Sequence, residues 1–159
     1  MDENKEMTVV ERTEAEAREC FRNGLNCSEC VMTAFLNNFE TGLPKEAVKL
    51  ATAFGGGMGH TKNTCGAITG AVMALSSIVG RENPMGKETM AERVQELQQG
   101  IYPVVGAMVH EMEEKYGVSV VALDVDKVSV EDITALMEKI LLEFPMFGFN
   151  IDLPRWMQA

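Results

Sequence analysis

Two cysteines of this chain, Cys27 and Cys65, each fall where a helix is predicted to begin. Unpaired amides and the positive end of the helix dipole favour a thiolate there and depress its pKa. The run Cys27-Ser28-Glu29-Cys30 also sets two sulfurs one helical turn apart, the arrangement of dithiol redox sites and of half a metal site. Cys65 lies within a glycine-rich stretch, Phe54 to Gly70, that leads through it straight into a small-residue helix. Gly55, Gly56, Gly57 and Gly59 free the backbone to visit φ > 0 and to turn N–H groups toward one point, a concavity suited to an anion or a thiolate. With Gly66, they are the candidate cofactor-contacting positions. Cys27 and Cys65 are the candidate redox-active residues, and Cys27, Cys30 and Cys65 the candidate metal ligands.

The other reactive types add little. His60, in the glycine loop, could act as a ligand or proton donor near Cys65, but an exposed loop histidine is the commoner case, and His110 reads as a surface residue. Glu29 could be a base only if buried, and as a first-turn acid it reads as a helix-end charge. A four-cysteine zinc site would need Cys20 and Cys65 in irregular spacing. The glycine run lacks the Gly-Lys-Ser/Thr ending and a preceding strand, so it is neither a P-loop nor a dinucleotide fingerprint. No Cys-x-x-Cys-His and no nucleophile elbow occurs, so there is no catalytic constellation beyond redox cysteines.

The 159 residues read as one domain, 13–159, behind a flexible lead, 1–12, and the hydrophobic fraction of 46% suits a globular protein. A net charge of −10 leaves no basic stripe for nucleic acid and disfavours anionic membranes. The charged N-terminal residues show no signal peptide, and the apolar run 67–79 is too short to span a bilayer. A cytoplasmic setting is expected, where the four cysteines stay reduced and serve as ligands, redox groups or core residues.

These residues need helices to position them. The first is expected from about Thr13 to Asn23, opened by a Thr13/Glu16 capping box and ended by Gly24, with Ala17, Cys20 and Phe21 inward. The second runs from about Cys27 to Asn38, capped by Asn26, with Val31, Ala34 and Phe35 buried. A third, from Pro44 to Thr52, turns Ala47, Leu50, Ala51 and Phe54 inward. A fourth, Cys65 to Val79, capped by Thr64 or Asn63, repeats Gly66, Gly70 and Ala74 every four residues, a face that lets another backbone come close. A long helical stretch, 87–116, is broken near Gly100 to Pro103. A β-branched piece, 118–125, and a last helix, 129–144, precede an apolar tail, 144–159, expected to dock on the domain or on a second subunit, which makes a homodimer plausible. The fold class is therefore all-α: about six helices around a central small-residue helix, with a glycine-rich loop.

Asn26-Cys27 before a helix, Phe54-Gly-Gly-Gly-Met-Gly59, and Thr64-Cys65-Gly66-Ala67-Ile68-Thr69-Gly70-Ala71 together resemble the redox-active proteins named for the pattern C_GCAxxG_C_C. The resemblance is close over 14–80 and looser up to Gly117. It implies a small helical fold in which Cys27 and Cys65 match the first two cysteines of the pattern. It also implies an iron–sulfur centre, as in a related domain of split-Soret cytochromes. The pattern's two later cysteines are missing here: Val120 and Val121 stand in the region of the third, and no cysteine follows Cys65. The expected function is a redox-active cysteine site, dithiol or metal-bound, with an electron-transfer partner the sequence does not name. The alternative is a helical module binding a small ligand or anion, or an oligomeric scaffold, without redox activity.

Overall fold

A computed structural model of the chain describes residues 7–116. The described residues form five α-helices, α1 (Val9–Arg22), α2 (Cys27–Asn38), α3 (Gly66–Val79), α4 (Met90–Gln99) and α5 (Ile101–Tyr116), with a 3-10 helix, Lys45–Phe54, between α2 and α3. No strand occurs among them. The all-α expectation holds. The β-branched piece, the last helix and the apolar tail lie outside the described residues.

Capping boxes open three of the helices. Thr8 and Glu11 open α1, Asn26 and Glu29 open α2, and Thr89 and Glu92 open α4. The first of these moves the start of α1 ahead of the expected Thr13/Glu16 box. Thr13 is instead buried inside the helix, its hydroxyl donating to Val9 O at 2.6 Å. The buried face of α1 also differs from the expected one. Thr13 and Ala17, four residues apart, are its buried residues, Cys20 is half-buried, and Phe21, expected inward, is 61% exposed.

The segment after Pro44 winds as a 3-10 helix rather than an α-helix, and this decides which side chains it buries. At three residues per turn, Val48, Ala51 and Phe54 share a face. Ala51 is fully buried, whereas Leu50, inward on an α-helical reading, is 65% exposed.

The centre of the molecule is the α2–α3 pair. α2 packs against α1, the 3-10 helix and α3, while α3 reaches α2, the 3-10 helix and α5. Val31, Phe35, Ile68 and Leu75 from the pair meet Val104 and Met108 of α5 in one core. Gly70 lets the two backbones close up: a Cβ there would stand 2.8 Å from Ser28 O and 3.1 Å from Ser28 Cα. α3 can be buried so completely because the hydroxyls of Thr69, Ser76 and Ser77 donate back to carbonyls three or four residues earlier. The break between α4 and α5 falls at Gly100, one residue before α5 starts; Pro103 lies in the first turn of α5, where its missing amide costs nothing.

Candidate functional site

The site begins with two helix starts facing each other. Asn26 caps α2, its Oδ1 accepting from the amides of Ser28 and Glu29 at 3.0 Å each, while Glu29 Oε2 accepts the Asn26 amide at 3.1 Å. Glu29 is thereby a cap partner, as the helix-end reading expects. Asn26 Nδ2 also donates to Thr52 O at 3.0 Å, tying the start of α2 to the 3-10 helix. Cys27 is then the first residue of α2. Cys65 is itself the N-cap of α3, displacing the expected Asn63 or Thr64, and its carbonyl accepts from Ile68 N at 3.0 Å.

Both thiols are buried, Cys27 at 8% and Cys65 at 1% exposure. Their sulfurs lie within hydrogen-bonding reach of each other. The Cys65 S–H donating to Cys27 is the foremost reason that the Cys27 thiol is held well below its ordinary pKa; burial opposes it, and the amides of Gly56 and Ser28 add to it. Cys65 moves the opposite way, its proton retained by that hydrogen bond and by burial. The pair therefore shares one proton, with the charge on the Cys27 sulfur.

Gly66 makes the approach possible. A Cβ at this position would overlap Cys27 Sγ and stand 2.7 Å from Phe54 O. Gly55 has a related but different task from the one its neighbours perform. Its φ is −57°, not positive, and a Cβ there would come within 2.6 Å of Asn26 Cγ, so glycine is needed for close packing on the cap.

The remaining glycines build an unusual turn. Gly56, Gly57, Met58, Gly59 and His60 have φ of 63°, 76°, 59°, 63° and 67°, five left-handed residues in succession, and Lys62 follows at 60°. Three of these six are not glycine, and each carries a strain of about 1–2 kcal/mol. Hydrogen bonds inside the loop hold it: Met58 N to Phe54 O, Gly59 N to Ala53 O, His60 N to Gly55 O, Lys62 N to Gly56 O and Asn63 N to Gly57 O. Most of the amides that could have converged on an anion are thus spent on the loop itself, and the Gly56 amide is the one turned to the Cys27 sulfur. Met58→Gly is expected to raise stability by up to about 1 kcal/mol, because relief of strain exceeds the added freedom of the unfolded chain. Chemical denaturation of both proteins measures it; a lower midpoint would contradict the strain.

The other sequence candidates are placed differently. Cys30 is fully buried on α2 and its S–H donates to Leu25 O at 3.5 Å. Burial first, then the charges of Cys20, Cys27 and Glu29, push its thiol up to about 12. Burial and the neighbouring Glu16 and Glu19 raise the Cys20 thiol. His60 is an exposed loop residue and His110 an exposed one beside Glu114, at 3.5 Å. Among the described residues, no group of three or more His, Cys, Asp or Glu side chains is disposed to hold a metal ion.

A model for the family described as "Putative redox-active protein (C_GCAxxG_C_C)" matches residues 25–120, which takes in α2, the glycine loop, α3, α4 and α5. The chain belongs to this C_GCAxxG_C_C family. Cys27 and Cys65, the pair in contact, both lie within the matched residues. Two curated relatives share shorter stretches. Stage IV sporulation protein A of Clostridioides difficile (strain 630) is 42% identical over 49 residues, 31% of this chain and 10% of that protein. Stage IV sporulation protein A of Bacillus subtilis (strain 168) is 32% identical over 58 residues, 36% of this chain and 12% of that protein. The matched stretch spans about a tenth of the length of these curated relatives. No solved structure matches the chain.

The iron–sulfur centre that the C_GCAxxG_C_C resemblance implies needs three or four thiolates. The described residues offer two facing sulfurs and a third whose S–H is directed to a backbone carbonyl, which does not fit a cluster held by this chain alone. None of the described helices is long and apolar enough to cross a membrane.

Proposed function

We propose that this C_GCAxxG_C_C protein is a two-electron thiol redox protein whose working group is the Cys27–Cys65 dithiol. The observation that carries the reading is the buried, proton-sharing contact between these two sulfurs at the meeting of two helix starts, with Gly66 clearing the space between them. Cys27 serves as the nucleophile. Its charge is stabilised by the Cys65 S–H, by the Gly56 amide and by the first-turn amides of α2, all of which are in place before any substrate arrives. Cys65 serves as the resolving thiol. After Cys27 attacks one sulfur of a disulfide RSSR and releases RS⁻, Cys65 gives its proton to that RS⁻, and the Cys65 sulfur attacks Cys27 Sγ and expels the second RS⁻, leaving a Cys27–Cys65 disulfide. Two protein thiols are oxidised and one external disulfide is reduced to two thiols. Burial of both sulfurs restricts the exchange to reactants that reach Cys27 when the surrounding chain opens.

Thiol counting on protein purified and reduced without air tests the proposal. Oxidation by a small disulfide is expected to remove two of the four thiols, and dithiothreitol to restore them. Cys27→Ser is expected to abolish the loss. Four free thiols after oxidation of folded wild-type protein would end the dithiol reading. Iron and sulfide analysis of the same preparation reads the other branch, in which a second subunit completes a cluster.

A further inference from the structure

The dithiol reading leaves Cys30 unused, a fully buried thiol one helical turn from Cys27 and outside the family pattern. Its position is more specific than burial alone. The S–H points to the carbonyl of Leu25, the residue before the α2 cap, at 3.5 Å. Leu25 is fixed in turn by its own amide, which donates to Cys20 O at 3.1 Å. The Cys30 sulfur is thus drawn back along α2 to the level at which Cys27 starts the helix. Helix geometry separates Cα atoms three residues apart by about 5 Å, inside the span of roughly 4.4–6.8 Å that disulfides bridge.

We propose that Cys30 is a second disulfide partner of Cys27, so that the Cys27 sulfur can pass its bond from Cys65 to Cys30. The inference rests on the Cys27–Cys65 reading and extends it. In the exchange, the Cys30 thiolate attacks Cys27 Sγ and the Cys27–Cys30 bond forms. The Cys27–Cys65 bond breaks, and Cys65 leaves as a thiolate that takes up the proton Cys30 gave up. No electron is gained or lost in this step; the oxidising equivalents are those drawn from the external disulfide.

The order of events follows from charge. In the reduced protein, burial and the neighbouring charges of Cys20 and Cys27 keep Cys30 protonated. Once Cys27 is in a disulfide its charge is gone, one of those penalties is lifted, and Cys30 becomes a better nucleophile at the moment its target exists.

The full chain carrying Cys20→Ser, which removes the half-buried competing thiol, is oxidised anaerobically with oxidised glutathione, quenched with N-ethylmaleimide and cut with trypsin. Cleavage after Arg22, Lys45, Lys62 and Arg81 leaves Cys27 and Cys30 together on peptide 23–45 and Cys65 on peptide 63–81. Two products are expected: 23–45 joined to 63–81, and 23–45 alone, unlabelled and lighter by two hydrogens. Adding Cys65→Ser is expected to make the second the main product. If the joined peptides form while Cys30 is fully labelled in both proteins, Cys30 is not a partner and the dithiol reading stands. If neither product forms in folded protein, both ideas fail. The Cys65-containing protein gives the decision even where Cys65→Ser does not fold.

Discussion

Cys65→Ala is expected to slow thiolate-dependent alkylation of Cys27 by about tenfold at pH 6. The Cys27 thiol is lowered to about 5, and the first cause of that lowering is the Cys65 S–H. Without it, the Gly56 amide and the start of α2 remain, and thiols at helix starts supported by such groups reach up to about 7.5. A titration moved to about 7 leaves roughly one Cys27 in ten ionised at pH 6, where the wild type is mostly thiolate. Iodoacetamide labelling as a function of pH, resolved by peptide mass, measures the shift. An unchanged profile would mean that Cys65 does not hold the charge.

The same pair ties stability to pH, and the sign can be worked out. Between about 5 and an ordinary thiol value of about 8.5, the folded pair has already lost a proton that the unfolded chain still binds, so stability rises with pH across this window. The contribution is lost as pH falls through the folded value. Above the ordinary value the raised Cys65 works in reverse, because the unfolded chain then loses a proton that folded Cys65 keeps. The difference in melting temperature between wild type and Cys27→Ser, which cancels the carboxylates common to both, is expected to widen from pH 5 to pH 8.

Gly66→Ala is expected to destabilise the protein by about 1–3 kcal/mol, the range of an overpacked core, and to suppress the Cys27–Cys65 disulfide. The expectation runs against helix propensity, by which alanine in a helix exceeds glycine by roughly 0.5–1 kcal/mol. Contact geometry decides the sign. The new Cβ would overlap Cys27 Sγ and press on Phe54 O at 2.7 Å, and that carbonyl already accepts the Met58 amide, so it cannot give way without disturbing the left-handed turn. Gly106→Ala in α5 supplies the control. No described atom lies within 4 Å of its added Cβ, so propensity acts unopposed and a gain of about 0.5–1 kcal/mol is expected. Opposite signs in paired denaturation curves support the close approach at Gly66. A stabilised Gly66→Ala with an intact disulfide would refute it.

Much of this was legible in the chain. The Asn26 cap, the buried stripe of α2 at Val31, Ala34 and Phe35, and the small-residue face of α3 are local patterns, and local patterns survive folding because capping and helical periodicity involve residues only three or four apart. The cysteines at or beside the starts of α2 and α3 follow from the same signals. What failed was register. The box at Thr8 replaced the one at Thr13, and a 3-10 winding turned Leu50 outward, since two capping boxes of equal pattern and two helical periods over ten residues differ too little in sequence to be told apart.

By itself, then, the sequence determined that the fold is helical, that the chain belongs to the C_GCAxxG_C_C family and that a glycine-rich stretch stands between Cys27 and Cys65. Only the tertiary structure decided which sulfur meets which. Cys27 faces Cys65, thirty-eight residues on, because Gly66 and Gly70 let α3 lie against the start of α2, while Cys30, its neighbour in sequence, is turned to the carbonyl of Leu25. The loop's purpose changed in the same way. Its left-handed turn spends its amides on itself and delivers the Gly56 N–H to the thiolate, an outcome fixed by long hydrogen bonds across the loop that no spacing of glycines could announce.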